Sequence, residues 1–164
     1  MKPEVTPLQR AREVALRHLA TAPRTERQVR ARIARAGLAE QADAVVEWLR
    51  GLRYLDDEAY ARGRARSLVA SGRIGPRVAA RRIQLAGIAA GAARAAVAGA
   101  MDEEAPGGEV ALCLALAVRR ARGKPLEGLD ARARGRLARF LLGRGFSGAA
   151  VARALGGFED RELE

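Results

Sequence analysis

Apolar residues recur along most of the chain at three- and four-residue intervals, and no stretch alternates apolar and polar positions while being rich in β-branched residues. The pattern predicts an all-α protein. Leu8, Ala11, Ala15 and Leu19 mark one face of a first helix, opened by Thr6 as N-cap and Pro7 as first helical residue and ending near Ala22-Pro23. Thr25, with Gln28 three residues on, forms a capping box for a second helix whose buried stripe is Val29, Ile33 and Ala36. A third helix from about Glu40 to Leu52 should bury Ala44, Val45, Trp48 and Leu49 and turn Glu40, Asp43 and Glu47 outward.

The second helix ends in a pattern that occurs twice more. In Ala31 to Leu38, Arg81 to Ile88 and Ala138 to Phe146, an apolar residue (Ile33, Ile83, Leu141) precedes a glycine (Gly37, Gly87, Gly145) by four places, and a large apolar residue follows it. Glycine takes the left-handed conformation beyond a last helical turn, and the next apolar side chain folds back on that turn. The intervals of 50 and 58 residues between these glycines predict tandem three-helix repeats. Residues 1–53 form the first, with a short lead; 54–101 the second; 102–158 the third; and 159–164 an acidic tail. Asp56 should cap the first helix of the second repeat. Gly75 and Pro76 stand where Thr25 and Glu26 stand in the first, and a helix from Ala89 to Met101 follows. After a polar linker, Asp102 to Gly108, come helices from Glu109 to about Ala121, from Asp130 as cap, and from Ser147 as cap.

Charge then separates the helices by role. The formal net charge is +11, and arginine supplies 28 of the 30 basic residues. The three repeats carry +5, +5 and +4 and the tail −3, so a basic face must recur along the array. It falls on the second helix of each repeat, while the third helix is acidic or nearly neutral. That asymmetry disfavours a helix-turn-helix reader, whose helix after the turn enters the major groove. The chain also has no asparagine, and its six aromatics lie mainly at core or joint positions, so neither base readout nor base stacking is well equipped. Binding to a phosphate backbone, or to an acidic repeating protein surface, remains.

Chemistry other than binding finds little support. His18 has no cysteine or second histidine near it in sequence, Cys113 lies among leucines as a core residue, and Asp56 to Glu58 are explained by a helix start without a metal. No glycine-rich strand-to-helix loop is present to cradle a nucleotide. A single cysteine excludes an internal disulfide, and no apolar run approaches the roughly 20 residues that span a bilayer. A soluble, cytoplasmic, monomeric protein without cofactor, metal or enzymatic activity is expected.

The junction Y-L-D-D-E-A-Y-A (Tyr54 to Ala61), G-P-R (Gly75 to Arg77) leading to A-G-I (Ala86 to Ile88), and R-F-L-L-G-R-G-F-S (Arg139 to Ser147) together resemble RecX, the bacterial regulator of the RecA recombinase. The likeness spans roughly residues 8–156 in order and spacing. It departs at Arg53, where the family often has glycine, and at Arg82, where an acidic residue is common. The resemblance implies an elongated, curved array of three three-helix units that lodges in the groove of the RecA nucleoprotein filament and restrains its growth or activity, with weak binding to single- and double-stranded DNA. Carried over by position, Arg77, Arg81 and Arg82 lead the candidate contacts, then Arg27 and Arg32, with Arg136 and Arg139 on the third repeat. The alternative is a basic protein that binds DNA non-specifically and acts without RecA.

Overall fold

The start signals read from the sequence act as helix caps. In the computed structural model, which describes residues 5–122 and 124–156, Thr6 and Thr25 each close a capping box with the glutamine three residues on. Asp56 and Asp130 accept the amides of Ala59 and Ala133, and the Ser147 hydroxyl accepts that of Ala150. The helices are α1 (Pro7–Thr21), α2 (Glu26–Arg35), α3 (Ala42–Gly51), α4 (Asp57–Ala70), α5 (Pro76–Leu85), α6 (Ala90–Glu104), α7 (Gly108–Ala121), α8 (Ala131–Gly143) and α9 (Gly148–Gly156), of which α3, α5, α6 and α7 start without a side-chain cap. No strand occurs among the described residues. The acidic stretch 159–164 lies outside them.

Three hydrophobic clusters follow, one for each set of three helices. Val29, Ile33, Val45 and Leu49 lead the first, Ile83, Ala79, Val69 and Val97 the second, and Phe146, Leu141, Leu137 and Cys113 the third. The fold is thus all-α and built of tandem three-helix units. Two stripes differ from the sequence expectation. Ala36 is exposed because α2 stops at Arg35 and leaves it as the C-cap, and Ala44 is exposed because a 3₁₀ turn at Ala39–Gln41 delays α3 until Ala42. The inward face of α3 is therefore Ala42, Val45, Val46 and Leu49, with Trp48 half-buried at its edge under the Arg12 guanidinium, 4.7 Å from the ring centroid. The expected linker at Asp102 to Gly108 is also shorter. The last turn of α6 runs on to Glu104, held by Glu103 pairing with Arg66 of α4 at 2.6 Å.

All three glycine stops are left-handed, with φ of +75° at Gly37, +110° at Gly87 and +92° at Gly145. Behind Gly37 and Gly145 the next amide, Leu38 or Phe146, reaches back to the carbonyl of Ile33 or Leu141. The same closure follows α3, where Tyr54 N–H meets the Leu49 carbonyl at 2.9 Å, but there Arg53 occupies the left-handed position with φ +57°.

Two of the glycines also join the units. The Thr25 hydroxyl, wholly buried, accepts from Gln28 N–H and donates to the Ala86 carbonyl at the end of α5. Gly75 N–H donates to the Arg144 carbonyl at 2.8 Å, and Arg77 N–H to the Gly145 carbonyl at 3.2 Å, both just beyond α8. The starts of α2 and α5 thus dock on the ends of α5 and α8. Amides that a helix N-terminus leaves unpaired meet carbonyls that a C-terminus leaves unpaired. A Cβ on Gly87 would stand 2.6 Å from the Arg27 Cβ, and one on Gly145 would stand 2.5 Å from the Val78 backbone nitrogen, so both joints need glycine for clearance as well as for φ.

Asp57 completes the first joint by accepting Glu26 N–H at 3.0 Å; burial pushes its carboxyl above the usual carboxylate range, against the opposing pull of that bond. The second joint needs no such carboxylate because Pro76, in the place of Glu26, has no N–H. Its counterpart at the start of α7, Glu109, instead holds Ser147 N–H at 2.6 Å and the Ser147 hydroxyl at 2.9 Å. Arg119 of α7 donates to the Gly72 carbonyl, and Leu112 packs against the second and third clusters, which fixes those two units together.

These left-handed positions should separate by environment in urea unfolding. Gly37→Ala, with open space at its Cβ, should cost about 1 kcal/mol, and Gly145→Ala about 3 to 4 kcal/mol because the Val78 backbone must also move. Arg53→Gly should stabilise by up to about 1 kcal/mol. Equal costs at Gly37 and Gly145 would contradict the close joint.

Candidate polyanion-binding surface

The basic side chains divide into those that are paired and those that are not. Arg17 pairs with Glu13, Arg62 with Glu58, Arg66 with Glu103, Arg50 with Glu26 and Glu47, and Arg30 with Asp43. Apart from Arg30, these arginines belong to first and third helices. Arg27, Arg32, Arg77, Arg81, Arg82, Arg136 and Arg139, the residues expected from the sequence to carry binding, have no ion pair among the described residues, and all seven are exposed.

Their placement follows from helix periodicity and from the joints. On α5, Ala79, Ala80 and Ile83 face the core, and an advance of about 100° per residue puts Arg77 and Arg81 one turn apart on the opposite side. Arg82, about 100° further round, is also exposed. Leu85 stands in the same outward sector and is 64% exposed, so this face is apolar as well as cationic. Arg27 lies at the first joint, its stem against Gly87. Arg32, with Arg24 and Arg35, contributes to the lowered pKa of His18, for which partial burial is the larger cause. Because the end of α8 meets the start of α5 and the end of α5 meets the start of α2, their arginines lie on successive helices of one chain of contacts. They form a linear series and do not converge on a pocket.

The third unit adds cations that the sequence reading passed over. Arg136 lines a cleft between α7 and α8 together with Arg120, Arg122, Lys124 and Phe140. The sequence signal is the run from Arg119 to Lys124, three arginines and a lysine in six residues, which periodicity alone marks as a helix end and a loop. Arg120 and Arg144 hold their guanidinium carbons 5.1 and 4.9 Å from the Phe140 ring centroid.

This surface can bind anions. Burial, with Glu109 nearby, pushes the Cys113 thiol up to about 11, so the residue is a core thiol and a poor nucleophile. Among the described residues no cluster of histidine, cysteine and carboxylate groups could hold a metal ion, and no helix is long and apolar enough to cross a membrane.

Residues 108–155 match the family model described as the third three-helix domain of RecX. The fold is similar to the crystal structure of RecX from Lactobacillus salivarius, with a TM-score of 0.77 and 20% identity over 92% of this chain and 96% of that one. The family-model match supports RecX over residues 108–155, and the likeness to this structure is one of fold. A crystal structure of regulatory protein RecX is also similar, with a TM-score of 0.72 and 22% identity over 92% of this chain and 73% of that one. No curated protein matches the chain. The RecX match in sequence covers α7 to α9, and so includes Arg136, Arg139 and the cleft; the arginines of α2 and α5 lie in the part where the likeness to RecX is one of fold.

Since Arg77, Arg81 and Arg82 touch solvent and carry no ion pair, replacing all three with serine should cost only about 1 to 2 kcal/mol of stability, from helix propensity and lost stem packing. Circular dichroism should show the parent's helix content; loss of the fold would mean that these side chains hold the units together.

Proposed function

We propose that this RecX-family chain is a regulator of RecA that lodges in the groove of the RecA–DNA filament and restrains its growth and activity. The observation that carries the proposal is the series of exposed, unpaired arginines on three second helices joined head to tail. A filament repeats its acidic and phosphate groups along an axis, and a linear series of cations can engage several repeats at once. Each unit alone would bind weakly, and the rigid joints between units add their contributions at little further ordering cost. In this reading the protein acts in the cytoplasm as a monomer, without catalysis or cofactor, and its contact with bare single- or double-stranded DNA is weak and falls steeply with salt.

A second reading, non-specific DNA binding that needs no RecA, is favoured by the basic cleft of the third unit, whose cations do not lie on the α5 face. The two readings differ in the substrate that matters. Under the first, affinity for RecA-coated single-stranded DNA greatly exceeds affinity for the bare strand at the same salt.

Each charge-assisted contact to an anionic partner contributes about 1.5 to 3 kcal/mol, so loss of two or three should weaken binding a hundredfold or more. The Arg77→Ser, Arg81→Ser, Arg82→Ser variant should therefore lose inhibition of RecA's DNA-dependent ATP hydrolysis by about that factor while staying folded. Undiminished inhibition by the folded variant would place the contact elsewhere.

A further inference from the structure

We propose that the cleft between α7 and α8 is a binding site for one nucleotide of a single-stranded nucleic acid, its phosphate held by Arg122, Lys124 and Arg136 and its base stacked at Phe140. This deepens the reading above by assigning the third unit's contact to bare strand, and it can fail while the filament reading stands.

Four cations, Arg120, Arg122, Lys124 and Arg136, line a cavity of about 350 Å³, and no carboxylate lines it with them. The nearby acidic residue Asp130 is turned to the Ala133 amide as a helix cap, at 2.6 Å. Like charges gathered in a concavity repel one another unless an anion enters, and such a cleft concentrates the field that draws one in. Arg122 ends α7 with φ +52°, a left-handed conformation that a non-glycine residue adopts at a cost and that clusters at ligand sites.

The floor carries the second element of the argument. Phe140 packs partly against the third hydrophobic cluster, which fixes its ring, and the guanidinium groups of Arg120 and Arg144 both lie over that ring, so an entering base stacks on a guanidinium plane backed by Phe140 or takes its place on the ring. A planar ring beside planar guanidinium groups is a stacking platform for a base, and stacking of this kind tolerates any sequence. The cavity is near the lower limit of ordinary small-ligand sites, which suits a single nucleotide. A duplex keeps its bases stacked on each other and cannot present one to a ring inside a concave cleft, so the geometry selects single strands.

The test uses the full chain, a fluorescently labelled oligothymidylate and a labelled duplex of equal length, with affinities read by anisotropy at one fixed salt concentration. The Arg122→Gly, Lys124→Gln variant removes two cleft charges and relieves the left-handed backbone, so weakened folding cannot explain its behaviour. It should bind the single strand about tenfold or more weakly and the duplex less than about threefold more weakly. Phe140→Leu should lose about fivefold or more on the single strand alone. Arg10→Gln with Arg17→Gln on α1, a charge-matched control, should reduce both affinities slightly and equally. If the cleft variant loses no affinity, or loses as much for duplex as for single strand, or no more than the control, the cleft is ordinary basic surface and the proposal is overturned.

Discussion

A helix N-terminus has amides with nothing to bond, and a helix C-terminus has carbonyls in the same position. In this protein those two deficits are set against each other between units. Gly75 and Arg77 amides meet carbonyls beyond α8, and the Thr25 hydroxyl meets one beyond α5. The approach is this close because Gly145 and Gly75 have no side chain to strike the facing backbone and Gly87 none to strike the Arg27 stem, while Gly87 and Gly145 are free to be left-handed. The helix dipoles consequently run in one direction through α8, α5 and α2, negative end to positive end, which adds to the stability of each joint.

The basic face inherits its form from that constraint. Each unit buries its own apolar cluster, so the second helices are free to turn arginines outward, and the joints place those arginines in sequence along the array. First and third helices hold most of the paired arginines, which neutralise charge where the units fold, while on the second helices only Arg30 is paired among the described residues. A docking surface of this kind needs several weak contacts in register, and a flexible connection between units would lose the register.

Much of this was legible in the sequence because the signals are local. The Thr-x-x-Gln boxes, Asp56, Asp130, the Gly-Pro start at Gly75 and the three glycine stops each depend on residues within one turn, and the structure has them in the expected roles. The stripe of α3 was misjudged at Ala44, since a 3₁₀ turn of three residues shifts helix phase without a sequence signal strong enough to mark it. The extension of α6 to Glu104 was missed because it depends on Arg66, which is 37 residues away. Asp56 to Glu58 are legible only as a helix start, because the contact by which Asp57 also joins the first two units, its carboxylate on Glu26 N–H, links residues 31 apart. The α7–α8 cleft was hidden for the same reason: Arg136 and Phe140 come to the run at Arg119 to Lys124 only through packing. The exposure of the seven arginines followed from periodicity alone, whereas their lack of partners required the positions of every carboxylate nearby.

The head-to-tail joint is most directly tested by amide hydrogen exchange at two equivalent positions, Arg77 in the first turn of α5 and Arg132 in the first turn of α8. Arg77 N–H donates across the joint to the Gly145 carbonyl, while Arg132 N–H meets no such acceptor among the described residues. The account predicts that Arg77, after correction for intrinsic rate, exchanges about a hundredfold or more slowly relative to Arg132, because opening it requires the units to part. Equal, fast exchange at the two amides would mean that the second helices are not joined and that the arginine series has no fixed line.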